Sequence, residues 1–361
     1  MILAVIIVLL VFSAYHTFKF ATLRSQKSRL LASVNRISSS EVDRANIGSI
    51  SFLVAGWNCS ADIEPFVSAF RALPLDNKQL VMCVGGKDDS YQRACTLHGD
   101  DVLVFEQVPG MGKQKALRAS LPHATGDWIY LTDIDSRIYA DCVVKMASAL
   151  ASAPCECVTG GMAPLKEQER DSFVTAQWGI DRYGNLMTGE FTSGILGANT
   201  LLTRNALKDS GDFGQEAPSG TDYTLAKELL KAGHKILHLK GAEVRTEFST
   251  HLDNYVKRRS RWLRNVLVLG RNYKCYTEVR SVLVTIVLAY LYPVLMIAGW
   301  FSQWIWVLFV LLFMHSYLNR VRYGKLSGVR TSAVGIIGTI VGDALAAMRA
   351  GHEALIGTVR W

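Results

Sequence analysis

The run Trp128-Ile-Tyr-Leu-Thr-Asp133-Ile-Asp135-Ser136 constrains this 361-residue chain more than any other stretch. It is apolar without alternation and then ends in two carboxylates one residue apart. A strand of that kind is covered on both faces, which is the condition of a parallel sheet flanked by helices. Side chains two apart on a strand leave on the same side, so Asp133 and Asp135 project together. Two like charges that close repel each other. A hard divalent cation relieves the repulsion, and such ions commonly take one or two carboxylates together with substrate phosphates. An Asp-x-Asp match arises by chance in many chains. Its position after a buried strand and before a turn favours metal or nucleotide binding over a solvated acidic turn.

The surrounding pattern agrees with a sheet of this type. Ile50–Ala55, Leu80–Val84 and Val102–Phe105 are further apolar runs, and Asp62–Leu73, Tyr91–Leu97 and Lys113–Leu121 between them have helical spacing. Such β-α-β order implies right-handed crossovers and parallel strands, with ligands bound beyond the carboxyl ends. Past Tyr139 the pattern loosens. Cys157–Met162 and Ile195–Thr203 read as strands with a long polar segment between them. Gly211–Gly220 reads as a loop, Thr221–Ala232 as a helix stopped by Gly233, and Lys235–Leu239 as a strand. His251–Tyr273 has the spacing of an amphipathic helix.

Half of the chain is hydrophobic, and the excess is localised. Met1–Tyr15 is apolar, with no basic stretch before it and no small-x-small cleavage site after it, which favours an uncleaved anchor over a signal peptide. Ser281–Trp300 and Phe301–Leu318 are each close to the roughly 20 residues that cross a bilayer. Thr331–Met348, with Asp343 and many small residues, reads as interfacial or re-entrant. Residues 41–256 carry 20 Lys+Arg against 28 Asp+Glu. The positive charge sits beside the apolar segments, with five basic residues in 16–36, seven in 257–274 and four in 319–330. That is the positive-inside pattern, and it argues for a membrane protein and against a nucleic-acid binder. It places 16–280 and 319–330 in the cytoplasm. The seven cysteines include no CxxC pair, so neither a disulfide framework nor a zinc site is expected.

Three further groups carry possible chemistry. Asp222 follows the flexible loop and opens a helix, so it is either part of an N-terminal cap or a general base. Arg258 and Arg261 share a helix face with Trp262 close by. They are suited either to phosphate or to a lipid-facing basic belt, and Arg259 and Arg264 are assigned to the belt. Gly110-Met-Gly112-Lys113-Gln-Lys115 precedes a helix and suits phosphate, although it lacks the spacing of a P-loop.

Taken in order, these motifs resemble the membrane-bound family-2 glycosyltransferases, inverting enzymes of GT-A fold that include ceramide glucosyltransferases and hyaluronan and cellulose synthases. The resemblance covers about residues 48–275. It rests on Leu53–Asn58, Cys83–Asp89, Gly112-Lys113, Gly126-Asp127, Asp133-Ile-Asp135, Gly197–Asn199, Thr221-Asp222 and above all Arg258-x-x-Arg261-Trp262. It implies an α/β GT-A domain, a mostly parallel sheet with helices on both faces, followed by transmembrane and interfacial helices. It further implies Asp135 as ligand of Mg2+ or Mn2+ and Asp222 as catalytic base. Ala55, Asn58, Asp88, Lys113, Asp133, Arg258, Arg261 and Trp262 would be the nucleotide-sugar contacts. The chain departs from the family at Cys59, where an acid is usual, at Gly85 and Gly86, where the nucleotide-binding Asp is expected and Asp88 is the nearest substitute, and at Thr221, which replaces an acid before the base.

The resulting expectation is a multi-pass protein of the inner membrane. Its segments are an anchor (1–18), a basic connector (19–48), a catalytic domain (49–250), an amphipathic helix (251–278), two spans (279–319) and a C-terminal interfacial part (320–361). It would move a sugar from a nucleotide donor, UDP-linked in most relatives, to a membrane lipid. The alternatives are a polysaccharide-extending enzyme of the same fold, a membrane-tethered sugar nucleotidyltransferase, and a non-catalytic scaffold or lipid-binding protein. Convergence of Asp222 on Asp133 and Asp135 is the geometric condition. A gap above about 15 Å, longer than four extended residues, would refute it.

Overall fold

The computed structural model describes residues 2–34, 47–217 and 219–356, with side chains from residue 8 to residue 30 in the first of these stretches. Two helices open the chain, α1 (Ile2–Ala21) and α2 (Leu23–Val34). The stretch expected as a polar connector is thus partly helical, and its residues 35–46 lie outside the described ones. Next come β1 (Ile50–Trp57), α3 (Ser60–Arg71), β2 (Lys78–Gly85), α4 (Ser90–Cys95), β3 (Val102–Glu106), α5 (Gly112–Ser120) and β4 (Trp128–Asp133). They are followed by α6 (Ala140–Ser152), β5 (Cys157–Pro164), α7 (Ser172–Met187), β6 (Thr200–Thr203), α8 (Arg204–Asp209), α9 (Thr221–Lys231) and β7 (Ile236–Thr246). Four long helices close the chain: α10 (Leu252–Asn272), α11 (Tyr276–Gly299), α12 (Gln303–Ser327) and α13 (Ala333–Leu355).

The seven strands form one sheet in the order β3-β2-β1-β4-β6-β5-β7. β1 to β4 are parallel, β6 runs antiparallel to both neighbours, and β7 is parallel to β5. Alternate residues of each strand feed opposite cores. Phe52, Val54 and Tyr130 pack with Ile63, Phe66 and Phe70 of α3 and Met146 of α6. Leu53, Val81 and Ile129 pack on the other face with Leu117 of α5 and Leu225 and Leu229 of α9. These fully buried side chains each contribute about 1.5–3 kcal/mol, which is why the strands read as unbroken apolar runs. In the β1–β4 register Ala55 stands beside Asp133, so the first motif and the acidic pair meet at one sheet end.

The expected strand Ile195–Thr203 is shorter than its apolar pattern suggests: only Thr200–Thr203 is strand, because the Leu196 amide turns back to the Thr159 hydroxyl. The polar segment before it contains α7, started by Asp171, whose carboxylate accepts from the amides of Phe173 and Val174.

Among the described residues, three helices (α11, α12 and α13) are long and apolar enough to cross a membrane, while Val8–Ala21 is a shorter apolar helix. Of the segment Thr331–Met348, expected as interfacial or re-entrant, all but Thr331 and Ser332 lies within the unbroken α13, and 44% of that helix's most apolar window is buried inside the protein. α13 packs on α7, α10 and α11. Its contact with α7 requires glycine, since a Cβ on Gly335 would stand 1.8 Å from the Ser172 carbonyl oxygen.

Candidate active site

At the carboxyl end of the sheet a cavity of about 950 Å³ opens between β4, the N-terminus of α9 and the length of α10. Lys113, Asp133, Asp135, Asp222, Arg258, Arg261 and Trp262 all line it. β4 delivers the two aspartates as its period-two geometry requires. Gly220, at φ +80°, turns the chain so that Asp222 falls in the first turn of α9. A Cβ placed on Gly197 would lie 3.2 Å from the Asp222 Cβ and 3.6 Å from the Lys113 ammonium. That ammonium is paired directly with Asp133. Asp222 therefore meets the acidic pair well within the 15 Å condition, with Lys113 between them.

The electrostatics divide sharply. Burial alone would lower the Lys113 pKa, but Asp133, then Asp222 and Asp135, outweigh it and hold it above the ordinary lysine value. Asp135 shows the opposite imbalance. Burial, then the charge of Asp133, push its pKa up to about 6. Its Oδ1 is buried without a hydrogen-bond partner. An orphaned, desolvated carboxylate oxygen of this kind fits a hard cation. Among the described residues no three His, Cys, Asp or Glu are grouped to hold a metal ion on their own. The two carboxylates would leave the remaining positions to substrate phosphates or water, as Mg2+ prefers.

On α10 the guanidinium of Arg258 donates to the Glu247 carbonyl (3.1 Å) and the Gln177 amide oxygen (3.4 Å), and it lies over the rings of Trp262 and Phe248. Arg259 and Arg264, assigned from sequence to a lipid-facing belt, are turned inward instead. Arg259 pairs with Asp343 of α13, its guanidinium 5.9 Å from the centre of the Trp262 ring, while Arg264 pairs with Glu353 of α13 at 2.8 Å. The physical reason is that α13 presents carboxylates inside an apolar helix, and buried charge must be paired.

A second cavity, about 690 Å³, lies beyond β1 and shares Lys113 with the first. Ala55 lines it, as do the exposed ring of Trp57 and the loops at Gln107 and Phe213. Asn58 and Asp88 line neither cavity. The Asn58 side chain accepts from the Lys87 amide (2.7 Å), and Asp88 accepts from Ser60 and Ser90, so both brace the turns that start α3 and α4. This runs against the expectation that they touch the nucleotide, because local backbone donors satisfy them first. An acid at position 85 has no room, since a Cβ there would stand 2.0 Å from the Gln107 carbonyl oxygen. Asn199, part of a family motif, is structural: it accepts from the Tyr130 hydroxyl and donates to the carbonyls of Gly161 and Ala242.

The sequence reading missed Trp57 at the second cavity, and Arg349 and Glu353, by which α13 joins the wall of the first. The available signal was charge inside an apolar run, which marks functional positions in membrane helices.

The sequence profile described as Glycosyltransferase like family 2 matches residues 48–265, more than half of the chain. No curated protein sequence matches it. Among solved structures, a mannosyltransferase from Pyrobaculum calidifontis in complex with GDP-Man and Mn2+ superposes with a TM-score of 0.62 at 14% identity, covering 97% of this chain and 98% of that one. The likeness thus runs through the closing helices as well as the sheet. Glucosyl-3-phosphoglycerate synthase from Mycobacterium tuberculosis matches with a TM-score of 0.41 at 18% identity, over 61% of this chain and 79% of that one. Profile and fold coincide over the same residues, and the chain belongs to the family-2 glycosyltransferases of GT-A fold.

Proposed function

We propose that this enzyme transfers a single sugar from a nucleotide-diphosphate donor, most simply a UDP-sugar, to a membrane lipid, with inversion at the anomeric carbon. It would sit in the inner membrane as a multi-pass protein with its catalytic domain in the cytoplasm. The observation that carries the reading is the shared cavity: Asp222 lines it with Asp133, Asp135 and the Arg258–Trp262 segment, and the membrane-type helix α13 adds Arg349 and Glu353 to its wall.

In this reading Asp222 accepts the proton of the lipid hydroxyl as its oxygen attacks the anomeric carbon. The bond from that carbon to the diphosphate oxygen breaks on the opposite face, which inverts the centre. Negative charge develops on the departing diphosphate, and Arg258 and Arg261 are placed to stabilise it with forked hydrogen bonds. Asp135, with Asp133, would hold Mg2+ or Mn2+, which when bound neutralises diphosphate charge. Lys113 joins the two cavities and would keep the acidic pair ordered while the donor enters. Ala55 and Trp57 would receive the nucleoside in the second cavity, which Lys113, Lys115 and Arg118 make net positive against the single carboxylate of Glu216.

Asp222→Asn tests the assignment. Transfer, read by mass spectrometry of lipids from cells carrying either form, should vanish, while donor affinity stays within about twofold because the amide keeps the shape of the carboxylate. Equal loss of both rejects Asp222 as base. Lipids bearing long glycan chains rather than single sugars would reject the single-transfer reading.

A further inference from the structure

Beyond the diphosphate side, the cavity has a second charged end built by α13. Glu353 is shared between two arginines: one oxygen meets Arg264 of α10 at 2.8 Å and the other meets Arg349 at 2.7 Å. Arg264 and Glu353 are largely buried, with 9% and 16% of their side chains exposed, whereas Arg349 is 45% exposed and lines the cavity. Two guanidinium groups against one carboxylate leave this end with a net positive charge. Asn265, next to Arg264, accepts at 3.0 Å from Ser219, which stands three residues before Asp222. Asp222, Ser219, Asn265, Arg349 and Glu353 all line the same cavity, so a polar headgroup seated at Arg349 shares one space with the base. At the end of α13 the side chains turn apolar and outward: Leu355, its last residue, is 86% exposed and Ile356, one residue beyond, 53%. In water such exposure is unfavourable, and at a membrane surface it is the normal state of an interfacial helix end.

We infer that Arg349 and Arg264, clamped by Glu353, form the acceptor-headgroup subsite, and that it selects a lipid whose headgroup carries a phosphate. The inference rests on the reading of the enzyme as a lipid glycosyltransferase and names the class of lipid. The phosphate lies against Arg349 in a bidentate contact that an uncharged headgroup cannot make. The acyl chains run past Leu355 and Ile356 into the bilayer. The hydroxyl of the same headgroup reaches Asp222. Arg258 and Arg261 remain with the donor, so the two anions of the reaction have separate cationic partners on one helix and its neighbour.

The probes are dihexanoyl phosphatidylglycerol and dihexanoylglycerol. Both are soluble and carry a hydroxyl, and only the first carries a phosphate. Titration of the full-length protein in detergent, followed by tryptophan fluorescence, should show the phosphate lipid binding at least tenfold more tightly. Arg349→Gln should weaken that binding fivefold or more. Glu353→Gln should tighten it, because the competing carboxylate charge is gone. Opposite signs for the two variants are the diagnostic result, since a purely structural latch would weaken in both. Loss in both variants, or equal binding of the two lipids, overturns the subsite. Inorganic phosphate binding as tightly as the phosphate lipid also overturns it, as the mark of a free-anion site. A transfer assay with nucleotide sugars separates this from the underlying reading. Sugar transfer to neutral lipid with unchanged KM in Arg349→Gln leaves the enzyme a lipid glycosyltransferase and removes the subsite. The expected binding pattern without transfer to any lipid keeps the subsite and removes the transferase reading.

Discussion

Four arginines of α10 fall into two pairs that differ in their partners. Arg259 and Arg264 meet carboxylates of a membrane-type helix, Asp343 and Glu353. Arg258 and Arg261 face the cavity, and the hydrogen bonds of Arg258 go to neutral oxygens of Glu247 and Gln177. The first pair makes ion pairs with α13; Arg258 is hydrogen-bonded only to neutral oxygens, and the carboxylates that act on it, Asp181 first and then Asp135, do so without a direct ion pair. A guanidinium costs several kcal/mol to desolvate without a counter-charge; Asp181 and Asp135 offset part of that cost for Arg258, and its open side on the cavity is free for an anion. The contrast separates arginines that hold α10 in place from those that await a diphosphate. A motif of clustered basic residues therefore contains two functions interleaved along one helix.

The largest effect should come from breaking the matched pair. Asp343 accepts from the Tyr255 hydroxyl (2.7 Å), from Arg320 of α12 (2.6 Å) and faces Arg259, so one carboxylate ties three helices together. Asp343→Asn removes the ion-pair partner of Arg320 and leaves Arg259 with Asp181 alone, at a cost of about 3 kcal/mol. The thermal midpoint in detergent should fall by several degrees, and donor affinity should fall with it because α10 loosens. An unchanged midpoint would show that the matched pair holds nothing.

Arg258→Gln should behave in the opposite way. Its hydrogen-bond partners are neutral, it makes no direct ion pair, and the amide can keep one of those bonds, so the midpoint should stay within about a degree. Donor binding should weaken roughly tenfold to thirtyfold, about 1.5–2 kcal/mol, the range of a lost charge-assisted contact. Isothermal titration with a nucleotide diphosphate in the presence of Mn2+ measures it. A drop in midpoint as large as that of Asp343→Asn would erase the distinction between the pairs. The effect should also shrink as salt rises, since the interaction is with a mobile anion in a solvated cavity.

How much of this was legible in the sequence follows from the range of each interaction. β1 to β4 and the helices between them were readable to within a few residues, because continuous apolar runs and 3.6-residue spacing are local properties. The acidic pair at the end of β4 and the Arg258–Trp262 face were readable for the same reason. α7 was not, because it buries Gln177 and faces Asp181 toward α10, so its inner face lacks the apolar signature of a helix. β6 was overdrawn because Ile195 and Leu196 are apolar for packing while their backbone serves a turn. The partners of Arg259 and Arg264 lie more than 80 residues away on α13. Nothing local distinguishes them from a lipid-facing belt, and only tertiary contact reveals which arginines are matched. Asp88, the nearest substitute for the family's nucleotide-binding acid, stands outside both cavities, where the nearby hydroxyl and amides of Ser60 and Ser90 hold its carboxylate.

The same contrast holds among the acids, and it gives the smallest expected effect near neutral pH. Asp343 is matched by two arginines, whereas Asp135 keeps one buried oxygen unpartnered and a pKa of about 6. A carboxyl whose folded pKa is raised binds its proton more tightly in the native state than in the unfolded chain. The metal-free fold therefore loses stability as pH rises from the ordinary carboxylate value through about 6, and keeps it below that window. A divalent ion reverses the sign, because it binds only the ionised form. Between pH 7.5 and 6 the Mn2+ affinity should fall by about half, and below 6 by roughly tenfold per unit. The Mn2+-induced rise in thermal midpoint, measured at pH 7.5, 6 and 5, should follow the same course. Asp135→Asn should abolish both the rise and its pH dependence, while raising the midpoint of the metal-free protein above pH 6. A Mn2+ response independent of pH over this range would mean that Asp135 is already matched by a charge, as Asp343 is, and that it does not hold the metal.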